Sequence, residues 1–209
     1  MIAIVDYGMG NIRSVEKAFI KIGADVRITA DPKVIADAKG IVLPGVGAFK
    51  DCMRNLDDLR LLDCIVKEIG KGKPYLGICL GLQILFTESE EFGFCRGLNV
   101  FRGKVVKFKF NEQGSTLKIP HMGWNHVAFQ KDHPVFRDIP DEAQFYFVHS
   151  YYPSPADDRL VIGWTDYGQL FCAALARRNL VAVQFHPEKS GRPGLQILAN
   201  FCRWEGEDA

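Results

Sequence analysis

The chain has 209 residues, 47% of them hydrophobic, and a formal net charge of +1. That is enough for one substantial core and marginal for two, so one α/β domain over residues 1–209 is expected. The charge balance gives no general attraction to nucleic acid or to an anionic membrane. No apolar run approaches the roughly 20 residues of a membrane span. The opening "MIAIVDYG" lacks the basic start, long apolar middle and cleavage site of a secretory leader. A cytoplasmic protein is expected.

In chain order, residues 2–5 (IAIV) form a short apolar run followed by glycines, which predicts a first strand. Apolar residues then recur at helical spacing over residues 12–22. "DVRIT" and "GIVLPGVG" predict two more strands, the second ending in a Pro-Gly loop. A helical region spans residues 49–69, and "KPYLGIC" predicts a strand that runs into another helix. Short apolar strands alternating with helices predict a mostly parallel sheet covered on both faces. The second half is strand-rich, with hairpin signals at Tyr167-Gly168 and Arg178-Asn179. It predicts an antiparallel extension inserted before the last parallel elements. "SGRPGLQILANFCRW" then closes the chain as an amphipathic helix capped by Ser190.

The six cysteines are Cys52, Cys64, Cys79, Cys95, Cys172 and Cys202. None forms a C-x-x-C pair or stands near a histidine at zinc-finger spacing, so no metal and no disulfide framework is expected. Five read as inert buried thiols. Cys79 differs. In "GICLG" it lies between Gly77 and Gly81 at a strand–helix junction, the place where parallel sheets hold ligands. The spacing matches a nucleophile elbow with sulfur in place of oxygen. A following helix would aim its N–H groups at the thiol and favour thiolate. The pentapeptide alone fits a buried cysteine in a tight turn equally well.

A nucleophile needs a base, and one of the five histidines stands out. In "VAVQFHPEKS", strand alternation puts Val181, Val183 and Phe185 on one face and Gln184, His186 and Glu188 on the other. Carboxylate beside imidazole is the orienting arrangement of a triad. Alone, "HPE" could equally be a surface turn. The third element is "LPGVGAF", where Gly45 and Gly47 allow backbone conformations other residues resist. Alone it is an ordinary strand-to-helix turn. Next to an elbow, the Gly45–Val46 segment with the Leu80 N–H reads as an oxyanion hole.

"LPGVGAF", "GICLGLQILF" and "FHPEKS", in this order, resemble the class I (triad) glutamine amidotransferases. "DYGMGN", "PHMGWN" and "HSYY" are similar to the branch that serves imidazole glycerol phosphate synthesis in histidine biosynthesis. The resemblance implies a flavodoxin-like α/β fold and hydrolysis of L-glutamine through a Cys79 thioester, with His186 as acid and base and Glu188 holding it. It implies that Gly47, Gln83, Glu91, Ser150 and Tyr151 hold the substrate's amino-acid head. It implies no cofactor, and a (β/α)₈-barrel cyclase subunit as partner and ammonia acceptor in a heterodimer. Asn11, Met122, Trp124 and Lys189 would lie at that interface, with Trp124 gating the site. Read without the resemblance, Gln83 fits a helix-surface amide, Glu91 an exposed acidic run, Trp124 a core residue and Lys189 a solvated one.

Two departures, Leu82 where the family often has Met and Arg102 where it often has Pro, touch none of this chemistry, and Cys95 has no role in it. Rival readings are a glutaminase subunit for another synthase, a cysteine peptidase or deglycase, and an inactive binding subunit. A nucleotide-binding module is weakest, because "DYGMGN" lacks both G-x-G-x-x-G and a P-loop lysine.

Overall fold

The computed structural model describes residues 1–110, 117–130 and 132–206. The first half alternates: β1 (Ile2–Val5), α1 (Ile12–Lys21), β2 (Val26–Thr29), α2 (Pro32–Asp37), β3 (Gly40–Gly45), α3 (Phe49–Asp58), α4 (Leu62–Gly70) and β4 (Tyr75–Cys79). A single helical turn, α5 (Leu80–Gln83), leads into β5 (Phe86–Ser89), β6 (Cys95–Arg96), β7 (Phe101–Lys107), β8 (His121–His126), β9 (Ala128–Phe129), β10 (Gln144–His149) and β11 (Tyr151–Pro155). β12 (Val161–Asp166), β13 (Leu170–Arg177), β14 (Leu180–Val183) and α6 (Gly191–Arg203) complete the chain.

The central sheet runs β2-β1-β3-β4-β14-β13-β12-β9. Its first five strands are parallel and the rest antiparallel. β1, β3, β4 and β14 are buried on both faces, which is why they read as unbroken apolar runs. Alternation divides them between two cores. Ile2, Ile4, Val181 and Val183 face one side with Phe19, Ile197 and Phe201 from α1 and α6. Ala3, Val5, Leu180 and Ala182 face the other, with Phe49, Leu56 and Ile65 from α3 and α4. The extension is not one sheet. β10 and β8 form an antiparallel pair, and β11-β7-β5-β6 a separate four-stranded sheet.

Four expectations need correction. Residues 49–69 are two helices, because α3 ends in a Schellman motif: Leu61 N–H donates to the Leu56 carbonyl and Arg60 N–H to that of Asp57, each at 2.8 Å. Arg60 takes the left-handed position (φ +57°) usually filled by glycine, so nothing in the sequence marked the break. The helix after Cys79 stops after one turn. The Ile84 carbonyl accepts from Leu98 N–H, and the Leu85 carbonyl from Val100 and Phe101, so these groups are taken by the segment leading into β7 instead of continuing a helix. Ser190 sits at the N-cap of α6 without capping it. Its hydroxyl donates to the His186 carbonyl at 2.6 Å and accepts from Tyr146 N–H at 3.0 Å. Of the five cysteines expected to be buried, Cys52 and Cys172 are, Cys64 and Cys95 are half-buried, and Cys202 is exposed; all are free thiols.

Candidate active site

β3 and β4 lie in register, with Gly45 opposite Cys79. Cys79 ends β4 at φ +55°, ψ −102°, a backbone state that costs an L-residue about 1–3 kcal/mol and turns its side chain out of the sheet. Glycines make the turn possible by close approach. A side chain at Gly81 would overlap the Leu43 carbonyl oxygen, and one at Gly77 would come within 2.5 Å of the Gly81 carbonyl oxygen. Behind the loop, Tyr7 donates to the Pro44 carbonyl at 2.9 Å.

β14 neighbours β4 with Val183 opposite Ile78, so the next residues of the chain pass alongside Cys79. The predicted alternation continues through Phe185, which packs in the same core as Val181 and Val183. It does not reach Glu188, which lies on a turn of 3₁₀-helix, Pro187–Lys189. That turn, not strand spacing, brings Glu188 Oε1 to 2.8 Å from His186 Nδ1, with both side chains buried. Among the described residues, His186 Nε2 and Glu188 Oε2 have no hydrogen-bond partner. Burial alone would lower the His186 pKa. The charge of Cys79 outweighs this, the Glu188 carboxylate at Nδ1 adds to the effect, and the pKa rises to about 10. The helix that follows Cys79 is only one turn long, so the expected dipole at its N-terminus is that of a single turn.

A cleft of about 420 Å³ opens over the sulfur. Its walls bring together Val46, Gly47, Cys79, Leu80, Gln83, Glu91, Ser150, Tyr151 and Lys189. Gly45 packs behind Leu80, and a Cβ there would stand 2.8 Å from that of Leu80. Gln83 is buried, not a surface amide: its Nε2 donates to the Tyr151 carbonyl at 2.9 Å and to Gln184 Oε1 at 3.1 Å. Glu91 is half-buried and accepts from Phe49 N–H at 2.6 Å, capping α3 from 42 residues away. Burial raises its carboxyl pKa more than that donor lowers it.

Asn11, Met122 and Trp124 stand outside the cleft. Trp124 is 54% exposed and Met122 62%, so neither is a core residue. The Trp124 ring meets Tyr146 edge-on at 6.1 Å, and Lys189 Nζ lies 5.7 Å from the same Tyr146 ring. Asn11 is exposed just before α1. Two residues escaped the sequence reading. Gln184, fully buried, donates to Cys79 Sγ at 3.5 Å. His149 lines the cleft and pairs with His121 at 3.1 Å. Gln184 carried a signal, since alternation put it on the His186 face; His121 and His149 lie in the PHMGWN and HSYY motifs, but their pairing carried none. Among the described residues no cluster of three His, Cys, Asp or Glu could hold a metal.

The family model for glutamine amidotransferase class-I matches residues 3–204. The chain belongs to the class I glutamine amidotransferases. Within this family it is similar to "Imidazole glycerol phosphate synthase subunit HisH" of Syntrophotalea carbinolica, 54% identical over 96% of this chain and 98% of the relative. The protein of the same name from Aromatoleum aromaticum is 53% identical over 97% and 98%. Among solved structures, a glutamine amidotransferase aligns with a TM-score of 0.74 over 98% of this chain and all of the other, at 15% identity. PurLQS from Thermotoga maritima aligns at 0.72 over 97% of each chain, at 18% identity. These distant likenesses show the amidotransferase fold: a mixed sheet between helices, with Cys79 at the end of a central strand. No helix among the described residues is long and apolar enough to cross a membrane.

Proposed function

We propose that the whole chain acts as one cytoplasmic glutaminase unit, the ammonia-supplying subunit of an imidazole glycerol phosphate synthase in histidine biosynthesis. The observation that carries this reading is the His186–Glu188 ion pair held at 2.8 Å behind a strained cysteine elbow, at a cleft of amino-acid size. The relatives' names and identities set the pathway.

Cys79 attacks the side-chain amide of L-glutamine. The oxyanion is held by the Leu80 N–H and by the loop of Gly45 and Val46, each donor worth about 10²–10³ in rate. Gly47, Gln83, Glu91, Ser150 and Tyr151 surround the amino-acid head. With its raised pKa, His186 begins protonated and gives its proton to the leaving nitrogen. Acylation then removes the negative charge from sulfur, which is a main reason that pKa is high. The same imidazole therefore becomes a base in time to activate water against the thioester. Ammonia passes to a (β/α)₈-barrel cyclase subunit, which uses it to form imidazole glycerol phosphate and an aminoimidazole carboxamide ribotide. Asn11, Met122, Trp124 and Lys189 face that partner.

The test is glutamate release from glutamine, with and without the barrel synthase and its nucleotide ligand. Strong stimulation is expected. Equal, substantial hydrolysis in both would keep the triad and remove the named partner. No hydrolysis from folded protein would leave an inactive binding subunit.

A further inference from the structure

Two buried histidines and one buried glutamine are left unused by this mechanism, and they form one chain with the nucleophile. Asn125 fixes its direction. Its Oδ1 accepts from His126 N–H at 2.8 Å, so its amide nitrogen must face the Asp166 carbonyl at 2.9 Å and His121 Nε2 at 3.3 Å. His121 Nε2 is then an acceptor, and its proton sits on Nδ1. Nδ1 donates to His149 Nε2 at 3.1 Å. His149 in turn carries its proton on Nδ1 and donates to the Tyr151 carbonyl at 2.9 Å. Both rings are kept neutral by burial, with His149 pushed down to about 3 and His121 to about 4, so neither tautomer is disturbed near neutral pH.

The Tyr151 carbonyl also accepts one N–H of Gln83, and the other goes to Gln184 Oε1. Gln83 therefore presents only protons to Gln184. A flipped Gln184 amide would set donor against donor, so its Nε2 is committed to the Cys79 sulfur. With Gln184 fully buried, that N–H has no water to turn to.

We propose that Gln184 is a positioning residue for the Cys79 sulfur, held in register by the neutral His121–His149 pair through the Tyr151 carbonyl and Gln83. The inference rests on Cys79 being the nucleophile, but its test needs neither glutamine nor a partner. Iodoacetamide is applied to the full chain at neutral pH, and labelling of each cysteine is followed by peptide mass spectrometry. Gln184→Met keeps the length of the side chain and removes the donor. It should slow Cys79 labelling about tenfold, the worth of one hydrogen bond to a charged group. Cys64, Cys95 and Cys202 should react as before. In the glutaminase assay the same variant should lower kcat and leave KM near its original value.

The histidine part is tested separately. Asparagine places an amide N–H close to the imidazole Nδ1, so His149→Asn should keep Cys79 labelling within about twofold of the parent, whereas His149→Leu, which loses the donor, should slow it several-fold. Should Gln184→Met unfold, seen as labelling of the buried Cys52 and Cys172, the His149 pair of variants decides. An unchanged Cys79 rate in folded Gln184→Met, or His149→Asn as slow as His149→Leu, would overturn the proposal.

Discussion

His186 and His149 are both buried, 2% and 6% exposed; His149 lines the cleft over Cys79, and His186 lies beside the sulfur behind it. They sit in opposite protonation states. His186 has its Nδ1 against the Glu188 carboxylate and faces Cys79, and its pKa is raised to about 10. His149 has its Nδ1 against a backbone carbonyl and its Nε2 against another imidazole, and its pKa falls to about 3. Burial pushes both rings the same way; the neighbours decide the outcome. Charge partners favour the protonated ring of His186, whereas His149, with only dipolar partners, is left neutral by its burial. His186 itself lowers the His149 pKa, so the active imidazolium helps keep its neighbour neutral.

The largest break in this contrast is Cys79→Ala. Glutamine hydrolysis should fall on the order of 10⁴-fold or more. Proton NMR should also find the His186 titration well below its parent value, because the sulfur's charge has gone. In the complex, external ammonia should restore synthesis. Glu188→Gln comes next, since it gives His186 a dipolar neighbour like that of His149. Activity should fall between about 10²- and 10⁴-fold, with His186 titrating lower.

Stability against pH separates the two rings by sign. His149 and His121 have folded pKa values below the unfolded value near 6.5. Their contribution is complete above about 6.5 and is lost as pH falls toward 4 and 3, because the unfolded chain binds more protons there. His186 is opposite: its contribution is complete below about 6.5 and is lost as pH rises through about 10. Melting temperature measured across this range should show an acid limb that His149→Asn flattens and an alkaline limb that Cys79→Ala flattens. A limb unchanged by its own variant would assign it to other groups. Trp124→Ala should have the smallest effect on either ring. Fold stability should change by less than about 1 kcal/mol, and both histidines should titrate as before. If the proposed interface is right, stimulation by a barrel subunit should drop by about tenfold or more, the loss typical of a tryptophan that becomes buried on docking.

The parallel half of the molecule was legible because each strand is buried on both faces, so its residues carry an uninterrupted apolar signal. The hairpin turns at Tyr167-Gly168, within a three-residue loop, and at the two-residue Arg178-Asn179 were legible from local turn signals, and Gly168 and Arg178 take positive φ there. Local signals failed where long-range contacts decide. The turn after Cys79 ends because its carbonyls are claimed by residues 98–101, and nothing between Leu80 and Phe86 says so. Cys79, His186 and Glu188 could be read from motif spacing, although Glu188 arrives by a 3₁₀ turn instead of strand alternation. The histidine pair could not, since β8 and β10 place His121 opposite His149 only through their antiparallel register.

The rung that joins Gly45 to Cys79 has a consequence for motion. It closes the ladder between two central strands, each enclosed by neighbours on both sides. Backbone amides there should be among the slowest in the molecule to trade hydrogen for deuterium, opening only when the whole chain opens. The glycine loop one residue further on, with the exposed Gly47, should exchange far sooner. The Cys79 sulfur is thus anchored to the part of the molecule expected to yield last, across one rung from a loop whose Gly47 is exposed.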